Sequence, residues 1–229
     1  YFSPYNLENL DDGPEGEYLT DRLTDEALRL IESKGEAPFF LYLSHYAVHT
    51  PIQAPEELVP KYEAKARMMG LDKVQALVEG PAFPTESKKD MRVQRRTVQS
   101  NPVYAAMVQN LDGNIGRVLD ALEATGQADN TIVVFTSDNG GLSTAEGSPT
   151  CNLPLAEGKG WMYEGGTREP MIVRWPGVVE PDSVCETPVT SPDFYPTLLE
   201  AAGLPPMPEQ HVDGVSLVTL LTQRGEPER

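Results

Sequence analysis

Apolar positions in this chain recur with two different spacings, and the spacings divide it into helices and strands. From Pro102 to Thr125, the residues Val103, Met107, Leu111, Ile115, Val118, Leu119 and Leu122 return every third or fourth position. That is the signature of a helix with one buried face, and Gly126 supplies its stop. A shorter helix is expected over TDEALRLIESKG, where Thr24 caps, Ala27, Leu28, Leu30 and Ile31 form the stripe, and Gly35 ends the run. A third is expected near Glu56 to Met68. A last one lies in SPDFYPTLLEAAG, with Ser191 as cap, Pro192 in the first turn and Gly203 past the end. Between the helices stand three short, nearly continuous apolar runs: PFFLYLS from Pro38 to Ser44, TIVVFTS from Thr131 to Ser137, and MIVRW from Met171 to Trp175. Runs of this length without alternation are expected of strands buried on both faces.

Strands alternating with helices imply an α/β domain whose mostly parallel sheet is flanked by helices on both faces. The whole chain, residues 1–229, reads as one partial domain. Residues 1–20 are expected to be loop and 51–100 a polar surface insertion. Its charged run ESKKDMRVQRR, Glu86 to Arg96, reads as a solvated loop or helix face. The chain starts at Tyr1 without an initiator Met and reads as a piece of a longer protein; no targeting peptide is expected at its start.

Charge narrows the function classes. With 35 acidic against 18 basic side chains the formal net charge is −17, so phosphate backbones and anionic lipid are repelled over the whole surface. Nucleic acid is excluded as a non-specific partner. An anionic substrate remains possible only through a local cationic pocket or a bound metal ion. No apolar run approaches the roughly 20 residues that span a bilayer, so no membrane span is expected. Cys151 and Cys185 stand outside any C-x-x-C pair, which argues against a structural zinc site, and whether they pair is open.

In open α/β sheets ligands bind at the carboxyl ends of the strands, so the loops there hold the candidate chemistry. After the second apolar run comes Asp138-Asn139-Gly140-Gly141. Tight-turn chemistry alone explains such a sequence. The alternative is a pair of adjacent oxygen ligands for a hard cation such as Ca²⁺, or less favourably Mg²⁺. After the first run comes HYAVHTP, with His45 and His49. A histidine there is either a structural hydrogen-bonding group or a proton-transfer group, since its unperturbed pKa lies near neutrality. His45 is the weaker candidate. Lys159, between glycines in EGKGWMYEGG, is either an exposed loop lysine or a point charge for an anion.

Taken together, PFFLYLSHYAVHTPIQAP, the stretch from Asn101 through TSDNGG, GKGWMYEGGTREPMIVRWPG, and SPDFYPTLLEAAGLP through HVDGVSLVTLL resemble the type I sulfatases of the alkaline phosphatase superfamily. The flavour is that of sulfatases related to those acting on N-acetylgalactosamine-6-sulfate. The resemblance implies an alkaline-phosphatase-like α/β fold and hydrolysis of sulfate esters, including those of sulfated small molecules or glycans. It implies a formylglycine nucleophile made from the Cys or Ser of a C/S-x-P-x-R motif, and a Ca²⁺ ion. It assigns Asp138 and Asn139 as metal ligands, His49 as the group near the leaving oxygen, and Lys159 as a sulfate contact. A periplasmic or secreted bacterial location is also implied.

Three departures accompany it. No C/S-x-P-x-R motif occurs in the chain, so the nucleophile is expected outside it. The family's first Asp-Asp ligand pair has no counterpart, because Asp11-Asp12-Gly13 follows no apolar strand and reads as a loop acidic pair. Ala156 stands where relatives often carry an arginine. Two other readings remain: a phosphodiester or phosphonate hydrolase of the same superfamily, and a non-catalytic binding remnant. Oligomeric state is not legible.

Overall fold

The computed structural model describes residues 1–33, 35, 37–83, 85–210 and 213–227. Lys34 of the first expected helix, and His211 and Val212 of the last matching stretch, lie outside the described residues. In chain order the regular elements are α1 (Leu19–Ser33), α2 (Val59–Met68), β1 (Leu77–Ala82), β2 (Arg92–Arg96), α3 (Pro102–Ala124), β3 (Val133–Thr136), α4 (Glu164–Thr167), β4 (Met171–Arg174), α5 (Phe194–Ala201) and α6 (Val218–Leu221). The chain folds as two compact units. One holds Tyr1–Ala128 and Thr136–Met171, the other Asp129–Phe135 and Ile172–Arg229.

In the first unit, α3 matches its sequence pattern almost residue for residue. Asn101 caps it by accepting from the backbone N–H groups of Val103 and Tyr104 at 3.0 and 3.2 Å, a contact contributing about 1 kcal/mol. Its face with Ala106 and Met107, both fully buried, meets Ala54 in a core ringed by Val48, Ile52, Val59 and Tyr62. The segment that bears His49 is thereby seated on α3.

Helix α1 starts five residues before the expected Thr24 cap. Thr24 is fully buried in mid-helix and its hydroxyl donates back to the Thr20 carbonyl at 2.9 Å. The i−4 carbonyl satisfies the hydroxyl, so the residue packs where a cap was expected. The buried face is Leu19, Thr20, Thr24, Ala27 and Ile31, whereas Leu30 is exposed.

Two further expectations are corrected. Among the described residues no strand is formed over Pro38–Ser44. Instead exposure alternates, Phe40 and Tyr42 pointing outward while Leu41 and Leu43 are half-buried. Composition fits a strand, but pairing is what defines one. The charged run Glu86–Arg96 is not a solvated loop throughout. Its second half is β2, antiparallel to β1, with Val93 fully buried. Arg95 and Arg96 are half-buried because each has a fixed acceptor. Arg95 Nη2 donates to Glu157 Oε1 at 2.6 Å, and Arg96 Nε to the Ser148 carbonyl at 2.6 Å.

In the second unit β3 and β4 are neighbours, formed where the second and third apolar runs were read. Val134 and Ile172 are exposed, so neither strand is buried on both faces among the described residues. Before α5 a short 3₁₀ turn, Ser191–Asp193, carries the cap. The capping residue is Thr190 rather than Ser191, and fully buried Asp193 completes a capping box with it. Asp193 also accepts from the Val215 N–H at 3.0 Å, tying the following loop to the helix start.

Candidate active site

Three loops of the first unit converge: the one with His45 and His49, the one leaving β3 through Asp138 and Asn139, and the one through Gly158-Lys159-Gly160. All five residues singled out in the sequence line one cavity of about 140 Å³. His49 Nε2 lies 2.8 Å from Lys159 Nζ, across 110 residues of chain. Asn139 Nδ2 donates to Asp138 Oδ2 at 2.5 Å, so the two side chains are already turned to one another. Ser137 Oγ donates to the Asn139 carbonyl at 2.8 Å and closes the turn.

The glycines explain how the loops come so near. A Cβ on Gly140 would stand 1.8 Å from the Gly165 carbonyl oxygen, and one on Gly158 would stand 2.3 Å from that of Gly141. Only residues without a side chain allow these backbones to stack. Asn152 then stitches them, its amide donating to the carbonyls of Gly141 and Glu157 at 2.8 and 2.9 Å. Ser143 Oγ adds a bond to the Glu157 carbonyl at 2.7 Å, and the Lys159 N–H reaches the Gly141 carbonyl at 3.2 Å. The metal-candidate turn and the lysine loop are thus one hydrogen-bonded body, braced from behind by the Arg95–Glu157 ion pair. The His49 loop is held separately. Tyr1 Oη donates to the carbonyls of Tyr46 and His49 at 2.7 and 2.9 Å.

Two groups near the cavity have shifted proton affinities. Burial pushes His45 below the usual histidine range, opposed by the negative charge of Asp21. Both ring nitrogens of His45 are buried and lack a hydrogen-bond partner among the described residues, so the ring is held neutral. Burial first, and then the carboxylate of Asp138, push Glu169 above the usual carboxylate range. One oxygen of Glu169 is likewise buried and unpartnered. The negative charge of Asp138 acts on Glu169, and a hard cation taken by these oxygen donors would offset that repulsion. The donor chemistry of Asp138 and Asn139 is of the type that a hard cation such as Ca²⁺ takes. Among the described residues no cluster of three or more His, Cys, Asp or Glu gathers to complete such a site.

The remaining sequence candidates have simple roles. Asp12 accepts from the Tyr5 and Asn6 N–H groups at 2.5 and 3.4 Å, which makes Asp11-Asp12 part of a loop. Cys151 and Cys185 are both free thiols. No local pattern singles out Thr50, Glu146, Asn152, Glu157, Arg95 or Glu169 as a site residue, although Thr50, Glu157 and Glu169 stand inside the HTP, EGKG and REP stretches and Arg95 inside the charged run.

A family model described as Sulfatase matches residues 1–204. A sulfatase of Formosa agariphila is 40% identical over a match that takes in 91% of this chain and 34% of that protein. Human N-acetylgalactosamine-6-sulfatase is 31% identical, with 90% of this chain and 33% of that one covered. Among solved structures, that of Ps i-CgsB in complex with k-i-k-neocarrahexaose superposes with a TM-score of 0.72 at 32% identity. It covers 95% of this chain and 41% of that one. The chain belongs to the sulfatase family, and its fold is a partial domain of the alkaline-phosphatase-like α/β type. It spans about a third of the length of the curated relatives it matches.

Proposed function

We propose that the full-length protein hydrolyses sulfate esters at the cavity between His49, Lys159, Asp138 and Asn139. The observation that carries this reading is the 2.8 Å contact of His49 Nε2 with Lys159 Nζ inside the cavity that Asp138 and Asn139 line. A sulfate monoester is an anion, and the chain's formal charge of −17 opposes its approach. A fixed ammonium group supplies the local attraction, and its charge acts most strongly where water is excluded. Lys159 binds the sulfate oxygens. Once the sulfate engages Lys159, His49 takes up a proton on Nε2, which faces the cavity, delivers it to the departing oxygen and returns to the neutral Nδ1–H imidazole.

Calcium is part of the proposal. Asp138 and Asn139 would hold it, and the bound ion supplies positive charge toward the sulfate oxygens without proton transfer. The formylglycine nucleophile is assigned to residues outside 1–229, because no C/S-x-P-x-R motif occurs within them. Carbohydrate sulfates are the proposed substrate class, supported by the neocarrahexaose held by the solved relative.

His49→Ala separates proton delivery from simple binding. General acid catalysis contributes roughly 10²- to 10⁴-fold, and a leaving group that departs readily as an anion needs little of it. Turnover of an alkyl or sugar sulfate is therefore expected to fall by about that factor, while nitrophenyl sulfate loses far less. An equal loss on both esters, measured as kcat, contradicts the assigned role.

A further inference from the structure

The hydrogen bonds around His49 run in one direction. An ammonium group only donates, so at 2.8 Å Lys159 Nζ donates and His49 Nε2 accepts. A neutral imidazole then carries its hydrogen on Nδ1. That Nδ1–H faces two acceptors of the next residue, the Thr50 carbonyl at 3.0 Å and Thr50 Oγ1 at 3.2 Å. The threonine hydroxyl has a single hydrogen. It points to Glu146 Oε2, 2.5 Å away and 96 residues further along the chain, and a carboxylate only accepts. Lysine, histidine, threonine and glutamate thus form a donor chain that ends on a negative charge.

The loop bearing Glu146 is built to hold it there. Glu146 and Ser148 have φ of +52° and +46°, left-handed conformations that non-glycine residues rarely adopt, and Gly147 between them has +83°. Such backbone persists where the surroundings over-determine it. The surroundings here are visible. Ser148 is buried, its Oγ donates to the Gln94 carbonyl, and its own carbonyl accepts from Arg96 Nε at 2.6 Å. The β1–β2 hairpin pins Ser148, and the tight turn before it carries the carboxylate across to Thr50.

We propose that Glu146, acting through Thr50, is a positioning residue for His49. It fixes the tautomer with hydrogen on Nδ1 and leaves Nε2 directed at Lys159 and the cavity. The role in turnover rests on the sulfatase reading above; the tautomer does not.

The test uses Thr50→Val, Thr50→Ser, Glu146→Ala and the Thr50→Val/Glu146→Ala pair in the full-length protein, read in two ways. Ring ¹⁵N spectra of His49 report the tautomer whether or not any ester is cleaved. The expected result is an Nδ1–H imidazole in the wild type and in Thr50→Ser, with a mixture in Thr50→Val and Glu146→Ala. The same tautomer in every variant overturns the proposal. In turnover, Thr50→Val and Glu146→Ala are each expected to lose about 10- to 100-fold in kcat on an alkyl sulfate, the size of a lost outer-shell orienting bond, with KM little changed. Nitrophenyl sulfate should be cleaved nearly as before, and Thr50→Ser should restore the alkyl ester. The double variant should be no worse than Thr50→Val, because both act through one chain of contacts. Equal losses on both esters, or additive losses in the double variant, mean a merely structural role. A wild type that cleaves neither ester defeats the sulfatase reading, and the spectra then decide the positioning claim alone.

Discussion

Asp138→Ala is expected to lower sulfate-ester turnover of the full-length protein by roughly a thousandfold, the scale on which preorganised charge at a reacting centre acts. Asp138 has two duties at the end of β3. In the proposed site its carboxylate is the stronger of the two adjacent oxygen ligands for calcium, and it accepts from Asn139 Nδ2 at 2.5 Å. Alanine removes the ligand and frees the asparagine beside it. The same substitution removes the negative charge that helps push Glu169 above its usual range, so Glu169 moves back toward ordinary carboxylate behaviour. Kinetics with nitrophenyl sulfate, paired with a calorimetric calcium titration, check both parts. A variant that keeps wild-type turnover and calcium affinity contradicts the ligand assignment.

Lys159→Ala comes second in expected size, a fall of about 10²- to 10³-fold in kcat/KM. The loss is double: the cation proposed to meet the sulfate disappears, and His49 Nε2 loses the donor now 2.8 Å away. Lys159→Arg is expected to recover only part of it. Lysine acts as a compact point charge, whereas a guanidinium presents a broad planar fork. The loop has little freedom to adjust, because Gly158 and Gly160 flank the lysine, the first in close contact with the Gly141 carbonyl. Steady-state kinetics on the three proteins is the check. Full activity in Lys159→Ala defeats the assigned contact.

Much of this site is legible in the sequence, and the reason is locality. The α3 pattern, the apolar run before Asp138 and the glycines around Lys159 each act within a few residues, which is the range of helix periodicity and turn chemistry. His49 and Lys159 were each named from their own loops, and the structure brings them together. What escaped the sequence is what depends on distant partners. Thr24 reads as a cap and proves to be a buried helical residue once α1 begins upstream. The arginines of β2 read as solvent-facing because Glu157, the partner of Arg95, is 62 residues away. Pro38–Ser44 has the composition of a buried strand, yet a ladder needs a neighbour that composition cannot report. Glu146 shows no local signal at all. Its bond to Thr50 spans 96 residues and exists only because Ser148 is anchored on the hairpin.

This cavity is proposed to cleave sulfate esters with a cation held by Asp138 and Asn139. The most direct test strips metal from the full-length protein with a chelator, follows nitrophenyl sulfate hydrolysis, and then returns Ca²⁺. Hydrolysis is predicted to stop with the chelator and to resume with calcium in the wild type, but not in Asp138→Ala. Unchanged hydrolysis after chelation, or equal recovery in Asp138→Ala, would contradict it.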